Sequence, residues 1–273
     1  MTYKSNAVDL DPGPLLAWPL PARSLVASLL LRTHPPRMSG SRLVQWCGLF
    51  GVAEGTARVA LSRMVERGEL RNRDGAYELA GRVRSRSGPQ DWSLEPVLSD
   101  WRGDWRIAVV APGPRAATER AALRESMRPL RYALLRDGVW TRPDNLPRAS
   151  APLWAWAVAD AQCSWWSGRP DGDPAALAGE LFDGAGWSRR AEMFTKRLAV
   201  VTRALVRREE GSLADGFVAG AASLAHFRSD PLLPHQLSAG AATAASAGAG
   251  LRRAYRTYEE AFSNALRAWF RKR

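Results

Sequence analysis

The chain has 273 residues, 46% of them hydrophobic, so it is long enough for two or three folded domains. Its formal net charge of +12 indicates a polyanionic partner. Two cysteines and three scattered histidines exclude a disulfide framework and a zinc motif, and we expect no metal and no cofactor. No apolar run is long enough to span a bilayer and no secretion signal precedes the first helix, so we expect a cytoplasmic protein without membrane contact.

The N-terminal segment, residues 1–20, contains three prolines and no periodicity, and we expect it to form an extended arm. A first helix is predicted from Ala22 to Thr33, with its core face on Leu25, Leu29 and Leu30. Two prolines follow and end this helix.

Two short amphipathic helices come next, separated by a tight turn. The first covers Ser41–Leu49 and ends at Gly51, where glycine allows the chain to turn sharply. The second covers Glu54–Arg67, and residues on one of its faces recur at steps of four, three and four: Ala57, Leu61, Met64 and Gly68. This order of elements is typical of a helix-turn-helix.

A period-two pattern follows the second helix. Leu70 alternates with arginines up to Asp74-Gly75, a dipeptide that favours a tight hairpin turn, and a second short strand contains Tyr77 and Leu79. The hairpin is the wing of a winged helix-turn-helix domain predicted for residues 21–80. Residues 1–88 carry 13 basic and 7 acidic side chains, which is half of the net positive charge.

Such a domain places the second helix of the helix-turn-helix, here Glu54–Arg67, in the major groove of DNA, with the wing on the adjacent backbone. We expect small residues on the exposed helix face to read bases, with Val59 against a thymine methyl group, while arginines on its flanks reach phosphates or guanine. The candidate DNA-binding residues are Ser39, Ser41, Arg42, Thr56, Arg58, Val59, Ser62, Arg63, Arg67, Arg71 and Arg73. An amphipathic helix and hairpin within a larger fold remains the alternative interpretation.

A basic Gly/Ser-containing segment, residues 81–90, is the expected linker to a central domain at residues 91–160. That domain is predicted to contain a strand at 106–111, a helix at 116–130, a strand pair at 132–142 and a strand at 153–158. A strand, helix, strand, strand order predicts a ferredoxin-like α/β sandwich.

Residues 161–273 are predicted to form a mainly helical C-terminal domain, with helices at 174–182, 188–208, 213–227 and 251–271. Between the last two, residues 238–250 are almost entirely Ala, Gly and Ser, a composition that fits either a helix or a loop. The predicted fold class is therefore α+β, with a winged helix-turn-helix, a ferredoxin-like domain and a helical domain in chain order.

Several segments resemble the PaaX family of bacterial transcriptional regulators, named for repressors of phenylacetate degradation. FGVAEGTARVALSRMVERGEL (50–70) is similar to the DNA-reading helix and wing entry of that family, and WRGDWRIAVV (101–110) to the opening of its second domain. RDGVWTRP (136–143), Leu181–Trp187 and Asp230–Pro234 resemble further landmarks in the same order.

The resemblance implies a homodimer that binds an inverted-repeat DNA operator and a central domain related to the ferredoxin-like fold of CRISPR spacer-acquisition nucleases. It also implies a repressor of a catabolic operon that leaves DNA when it binds a small effector, an acyl-coenzyme A such as an aryl thioester. Aromatic and cationic residues suit such an effector. The candidates are Trp140, Arg142, Trp165, Trp166 and Arg169, with a structural core role as the alternative.

Two other functions are compatible with the sequence. A metal-dependent nuclease would use the central domain, with Asp100 and Asp104 as metal ligands, although the same acids fit an ordinary loop. An architectural DNA-binding protein would bind without an effector and with little sequence preference. The sequence contains no nucleophile with a base, no paired carboxylates and no phosphate-binding glycine loop, so we expect no catalytic residues and no enzyme.

Overall fold

The computed structural model describes residues 20–33, 35–80, 93–237 and 241–271. The predicted arm up to residue 19 and the predicted linker at 81–90 lie outside the described residues. The chain divides into two compact units. One takes the described residues before position 81 together with 197–222 and those from 255 onward, and the other takes 93–196 with 223–254.

The first unit contains the predicted winged helix-turn-helix. Its elements are α1 (Ala22–Arg32), β1 (Arg37–Ser39), α2 (Gly40–Gly48), α3 (Glu54–Glu66), β2 (Leu70–Arg73) and β3 (Ala76–Leu79). The three strands form an antiparallel sheet in the order β1-β3-β2. The predicted bounds of the three helices are confirmed to within two residues. Strand β1 was not predicted, because three residues are too few to show a period-two pattern.

Buried side chains of the three helices form the core beneath the wing. Leu25, Leu29 and Leu30 of α1 are fully buried, as predicted. On α3 the buried residues are Ala57, Leu61 and Met64, so the four-three spacing identified the correct face. Gly68 lies beyond the helix end with φ 67°, where a glycine turns the chain toward β2.

The second unit contains a four-stranded antiparallel sheet in the order β5-β6-β4-β7. Its elements are β4 (Trp105–Val110), α4 (Ala117–Met127), β5 (Ala133–Arg136), β6 (Val139–Pro143), α5 (Leu153–Asp160) and β7 (Cys163–Gly168). This βαββαβ order with the first strand beside the third and the fourth is the ferredoxin-like fold.

The predicted strand at 153–158 is wrong, because this segment is helix α5. Its sequence LWAWAVAD alternates large and small apolar residues, which mimics a strand, but the buried residues are Ala155, Trp156 and Ala159, one face of a helix. The helix packs against α4 over the sheet core. The fourth strand is β7, which begins at Cys163, after the domain end expected at residue 160.

Helices dominate the remaining chain, as predicted. They are α6 (Pro174–Leu181), α7 (Gly184–Arg207), α8 (Ser212–Arg228) and α9 (Ala241–Arg271). The small-residue segment is helical from Ala241 onward. The last three helices each contribute residues to both compact units. No helix in the described part of the chain combines the length and the apolar character that a membrane span requires.

Residues from α8 and α9 complete the core of the first unit. The ring of Trp46 on α2 lies with its centroid 5.3 Å from that of Phe217 and 6.3 Å from that of Phe262, both in edge-on geometry. Phe50 joins the same cluster, 5.2 Å from Trp46 and 5.3 Å from Phe217. The winged helix-turn-helix is therefore packed on helices that follow it by more than a hundred residues in the sequence.

Candidate nucleic-acid interface

The exposed face of α3 is opposite the buried one and consists of small and medium-sized side chains. Thr56, Val59 and Ser62 are exposed, and Val59 is 50% accessible although it is apolar. Arg58, Arg63 and Arg67 flank this face and are also exposed. The fold thus presents a strip of small uncharged side chains between arginines, with the exposed Glu66 following Ser62 on the same face.

Ser39 is the N-cap residue directly before α2 and fixes the first turn of that helix. Its hydroxyl accepts a hydrogen bond from the backbone N–H of Arg42 at 3.5 Å and lies 3.1 Å from the hydroxyl of Ser41. The guanidinium of Arg42 is exposed and lies 5.2 Å from the ring centroid of Phe270 on α9. All three predicted residues therefore meet at one helix end.

The wing is a tight hairpin whose turn requires left-handed backbone. Asp74 and Gly75 have φ of 53° and 74°, as in a type I′ turn, and Asn72 accepts a hydrogen bond from the Gly75 N–H at 3.1 Å. Arg71 and Arg73 project from β2 and are exposed. The wing therefore offers guanidinium groups to solvent beside α3.

Arg37 on β1 is an exposed basic residue that the sequence reasoning did not select. Its guanidinium donates to the backbone carbonyl oxygen of Arg73 at 3.0 Å, which links β1 to the wing tip. The strand was not predicted, and without it an arginine after two prolines gave no signal beyond its charge.

Ion pairs separate the arginines of this surface into two groups. Arg58 is paired with Glu54 at 2.7 Å and Arg73 with Glu78 at 3.6 Å, and all four side chains except Glu78 are more than half exposed. Arg63, Arg67 and Arg71 form no ion pair with any described residue. Exposed pairs contribute about 0–1 kcal/mol, so Arg58 and Arg73 are restrained only weakly.

The five predicted effector residues do not converge on one site. Trp140 and Trp165 lie on the same face of the sheet, where they flank Ala108 in the core of the second unit. Trp166 lies on the opposite face and is 62% exposed. Arg169 pairs with Asp104 at 3.0 Å.

Arg142, the fifth predicted effector residue, is buried. Its guanidinium donates to the carbonyl oxygens of Pro143 and Leu130 at 2.9 and 3.0 Å and to Asn145 Oδ1 at 2.6 Å. The sequence predicted Arg142 as a cation of an effector site. Its burial depends on hydrogen-bond acceptors from distant parts of the chain, which a local sequence pattern does not reveal.

The acids considered for a nuclease site lie in the loop before β4. Asp104 is engaged by Arg169 through its carboxylate, and its backbone carbonyl accepts from Trp101 Nε1 at 2.6 Å. Among the described residues, no group of three or more potential His, Cys, Asp or Glu ligands comes together to hold a metal ion.

The fold and the exposed α3 face define a mixed α+β protein with an N-terminal winged helix-turn-helix. A family model described as "PaaX-like protein" matches residues 21–83. The solved structure of the uncharacterized protein Rv0674 from Mycobacterium tuberculosis is 35% identical, with 90% of this chain and 97% of that chain covered and a TM-score of 0.67. No curated protein matches the chain. The chain belongs to the PaaX-like family, which is a family of transcriptional regulators.

Proposed function

We propose that this protein regulates transcription by binding double-stranded DNA through α3 and the wing. The observation that carries the proposal is the uncharged strip of Thr56, Val59 and Ser62 between flanking arginines, of which Arg63 and Arg67 form no ion pair within the described residues. A helix of this shape fits the major groove, and free guanidinium groups at its rims suit phosphates and guanine.

The residues divide into two roles. Thr56, Val59, Ser62 and Arg63 face the groove and read base edges, and Arg58 on the flank reaches either a guanine or a phosphate. The remaining candidates position the protein on phosphates: Ser39, Ser41, Arg42, Arg67, Arg71 and Arg73. Base contacts determine sequence preference, whereas phosphate contacts determine register and salt dependence.

The finer proposal is that the protein acts as a homodimer on an inverted-repeat operator, represses a catabolic operon and is released by a small effector. Family membership supports this proposal, since an acyl-coenzyme A effector is what the resemblance to phenylacetate repressors implies. A dimer with two winged helices requires half-sites whose spacing follows its two-fold symmetry.

The test is titration of the full chain with duplex DNA from the region upstream of its own gene, at several salt concentrations. Arg63→Ala is expected to weaken binding by about 1–3 kcal/mol and to relax the preference at one base pair. Arg71→Ala is expected to weaken binding to all sequences alike and to reduce the salt slope by about one.

Arg124→Ala is the matched control, since Arg124 is an exposed arginine on α4 outside the winged helix. Its affinity is expected to equal that of the unmodified protein. Unchanged binding in both Arg63→Ala and Arg71→Ala would show that the interface is elsewhere. Cleavage of labelled DNA in the presence of Mg²⁺, lost in Asp104→Ala, would instead support a nuclease.

A further inference from the structure

A cavity of about 270 Å³ lies in the ferredoxin-like domain. Polar and aromatic side chains from β4, β6 and the segments around them form most of its wall: Arg106, Tyr132, Arg142, Asp144, Arg148 and Trp156. Among these described residues, three guanidinium groups face one carboxylate. The cavity therefore has an excess of positive charge.

Two of the arginines are direct neighbours on the sheet. Arg106 on β4 and Arg142 on β6 occupy paired positions in the antiparallel register, so their side chains leave the same face. Like charges in directly opposed positions of an antiparallel sheet destabilise it. An anion between the two guanidinium groups would remove this repulsion.

Among the described residues, the buried guanidinium of Arg142 forms no ion pair, although the carboxylate of Asp144 lines the same cavity. The Arg142 side chain is 2% accessible, and the three acceptors described above are two backbone carbonyls and one amide oxygen. Burial, together with the neighbouring Arg131, lowers the pKa of Arg142 to about 10 against the opposing effects of Tyr132 and Asp144, so the group stays protonated at neutral pH. A buried charge that has only neutral acceptors is costly, and a guanidinium has five N–H donors of which these bonds use three.

The remaining wall is aromatic. The rings of Tyr132 and Trp156 meet edge to face with centroids 6.5 Å apart. The guanidinium carbon of Arg148 lies 4.2 Å from the centroid of the Trp156 ring, and the same arginine is half exposed and paired with Asp160. The aromatic rings thus give the cavity a flat apolar surface next to the guanidinium of Arg148. The exposed ion pair with Asp160 restrains that guanidinium only weakly.

Size restricts the ligand. A cavity of about 150 Å³ is sufficient for benzene, so this one has room for a single ring with a small charged group. Pockets for larger molecules measure roughly 300–1,000 Å³, and a complete coenzyme A thioester exceeds the volume available here.

We propose that this cavity binds a small organic carboxylate whose apolar body is one planar ring. The carboxylate lies between Arg106 and Arg142, and the ring lies against Trp156 and Tyr132. Binding of the ligand stands independently of DNA binding. Its role as the signal that changes DNA affinity rests on the proposed function, with the free acid in place of the acyl-coenzyme A that the family resemblance implies.

Isothermal titration of the full chain with three small probes tests the cavity. Benzoate carries both the ring and the charge, benzamide has the same shape without the charge, and acetate has the charge without the ring. Benzoate is expected to bind saturably and at least tenfold more tightly than either of the others. Equal binding of benzamide, or no binding of benzoate, would overturn the proposal.

Variants locate the site. Arg106→Met and Arg148→Met keep the aliphatic stem of each residue and remove a charge, and each is expected to weaken benzoate binding at least tenfold. Arg124→Met makes the same change on the exposed face of α4 and is expected to have no effect. Circular dichroism confirms that each variant is folded. Undiminished benzoate binding in both cavity variants would place the ligand elsewhere.

Two further measurements test whether the ligand is the free acid and whether it changes DNA affinity. Benzoyl-coenzyme A is expected to bind no more tightly than benzoate, and tight binding of the thioester alone would contradict a site for the free acid. A change in DNA affinity on addition of benzoate, lost in Arg106→Met, would support the signalling role. Failure of the unmodified protein to bind DNA would refute the proposed function without affecting the benzoate titration.

Discussion

Trp46 and Phe217 pack edge to face with their ring centroids 5.3 Å apart, although one belongs to the helix-turn-helix and the other to α8. Trp46 is fully buried, and Phe50 and Phe262 contact the same ring. The helix that packs against α3 is consequently stabilised by residues from the C-terminal part of the chain.

We expect Trp46→Ala to lower the free energy of unfolding by about 3–5 kcal/mol, because it removes a fully buried aromatic ring and leaves a cavity. Chemical denaturation followed by circular dichroism measures the change. Trp166→Ala serves as the control, since Trp166 is 62% exposed and its loss is expected to change stability far less. Equal effects of the two substitutions would mean that the Trp46 cluster is not a core.

Glu54→Gln is expected to strengthen DNA binding. Glu54 pairs with Arg58 at 2.7 Å on the exposed side of α3, and its carboxylate also repels DNA phosphates. Loss of the pair frees Arg58 for a phosphate, which predicts a salt slope steeper by about one. Glu192→Gln, which removes an exposed carboxylate from α7, is the control and is expected to leave the slope unchanged. An unaltered slope in Glu54→Gln would show that Arg58 makes no such contact.

We expect the folded protein to lose stability in mild acid because His226 is buried. It is 1% accessible and stacks on Trp187 with centroids 4.7 Å apart, and its Nε2 lies 3.0 Å from the Trp187 carbonyl oxygen. Burial lowers its pKa to about 4, whereas a histidine in the unfolded chain has a pKa near 6.5. Below pH 6.5 the unfolded chain therefore binds a proton that the folded chain does not, and stability falls as the pH decreases toward 4.

The two pKa values of His226 differ by about 2.5, so the loss of folding stability is roughly 3 kcal/mol at most. Denaturation curves at pH 7, 6, 5 and 4 measure it. In His226→Gln the decrease between pH 6.5 and 4 is expected to be smaller by this amount, while His235→Gln, at an exposed histidine, is expected to retain it. The same pH profile in all three proteins would contradict a neutral buried His226.

Substitution of alanine for glycine is expected to have opposite effects on folding stability at two helical positions. A Cβ on Gly220 of α8 would overlap the Tyr258 hydroxyl and lie 2.6 Å from Cζ of that ring. Tyr258 is fully buried and donates to the Gly216 carbonyl oxygen at 2.8 Å, so it has little freedom to move. Gly220→Ala is therefore expected to destabilise the protein by about 1–3 kcal/mol.

Gly179 of α6 has no atom within 4 Å of the added Cβ. Gly179→Ala is expected to stabilise by about 0.5–1 kcal/mol because alanine loses less backbone entropy in a helix. Thermal unfolding of both variants compares them directly. A stabilising Gly220→Ala would show that α8 and α9 are not in close contact at this point.

The sequence alone determined the winged helix-turn-helix and its exposed face. The spacing of Ala57, Leu61 and Met64, the turn at Gly51 and the hairpin at Asp74-Gly75 are local signals that act over a few residues. Local backbone preference and a one-sided apolar pattern are sufficient for such elements.

Tertiary structure decided what depends on distant partners. The LWAWAVAD segment became helix because its small residues pack against α4, and Cys163–Gly168 became the fourth strand because β4 offered a free edge. Arg142 is buried since carbonyl and amide oxygens surround it, and Trp46 is covered by rings from α8 and α9. These outcomes depend on contacts between residues far apart in the chain, and local periodicity carries no information about them.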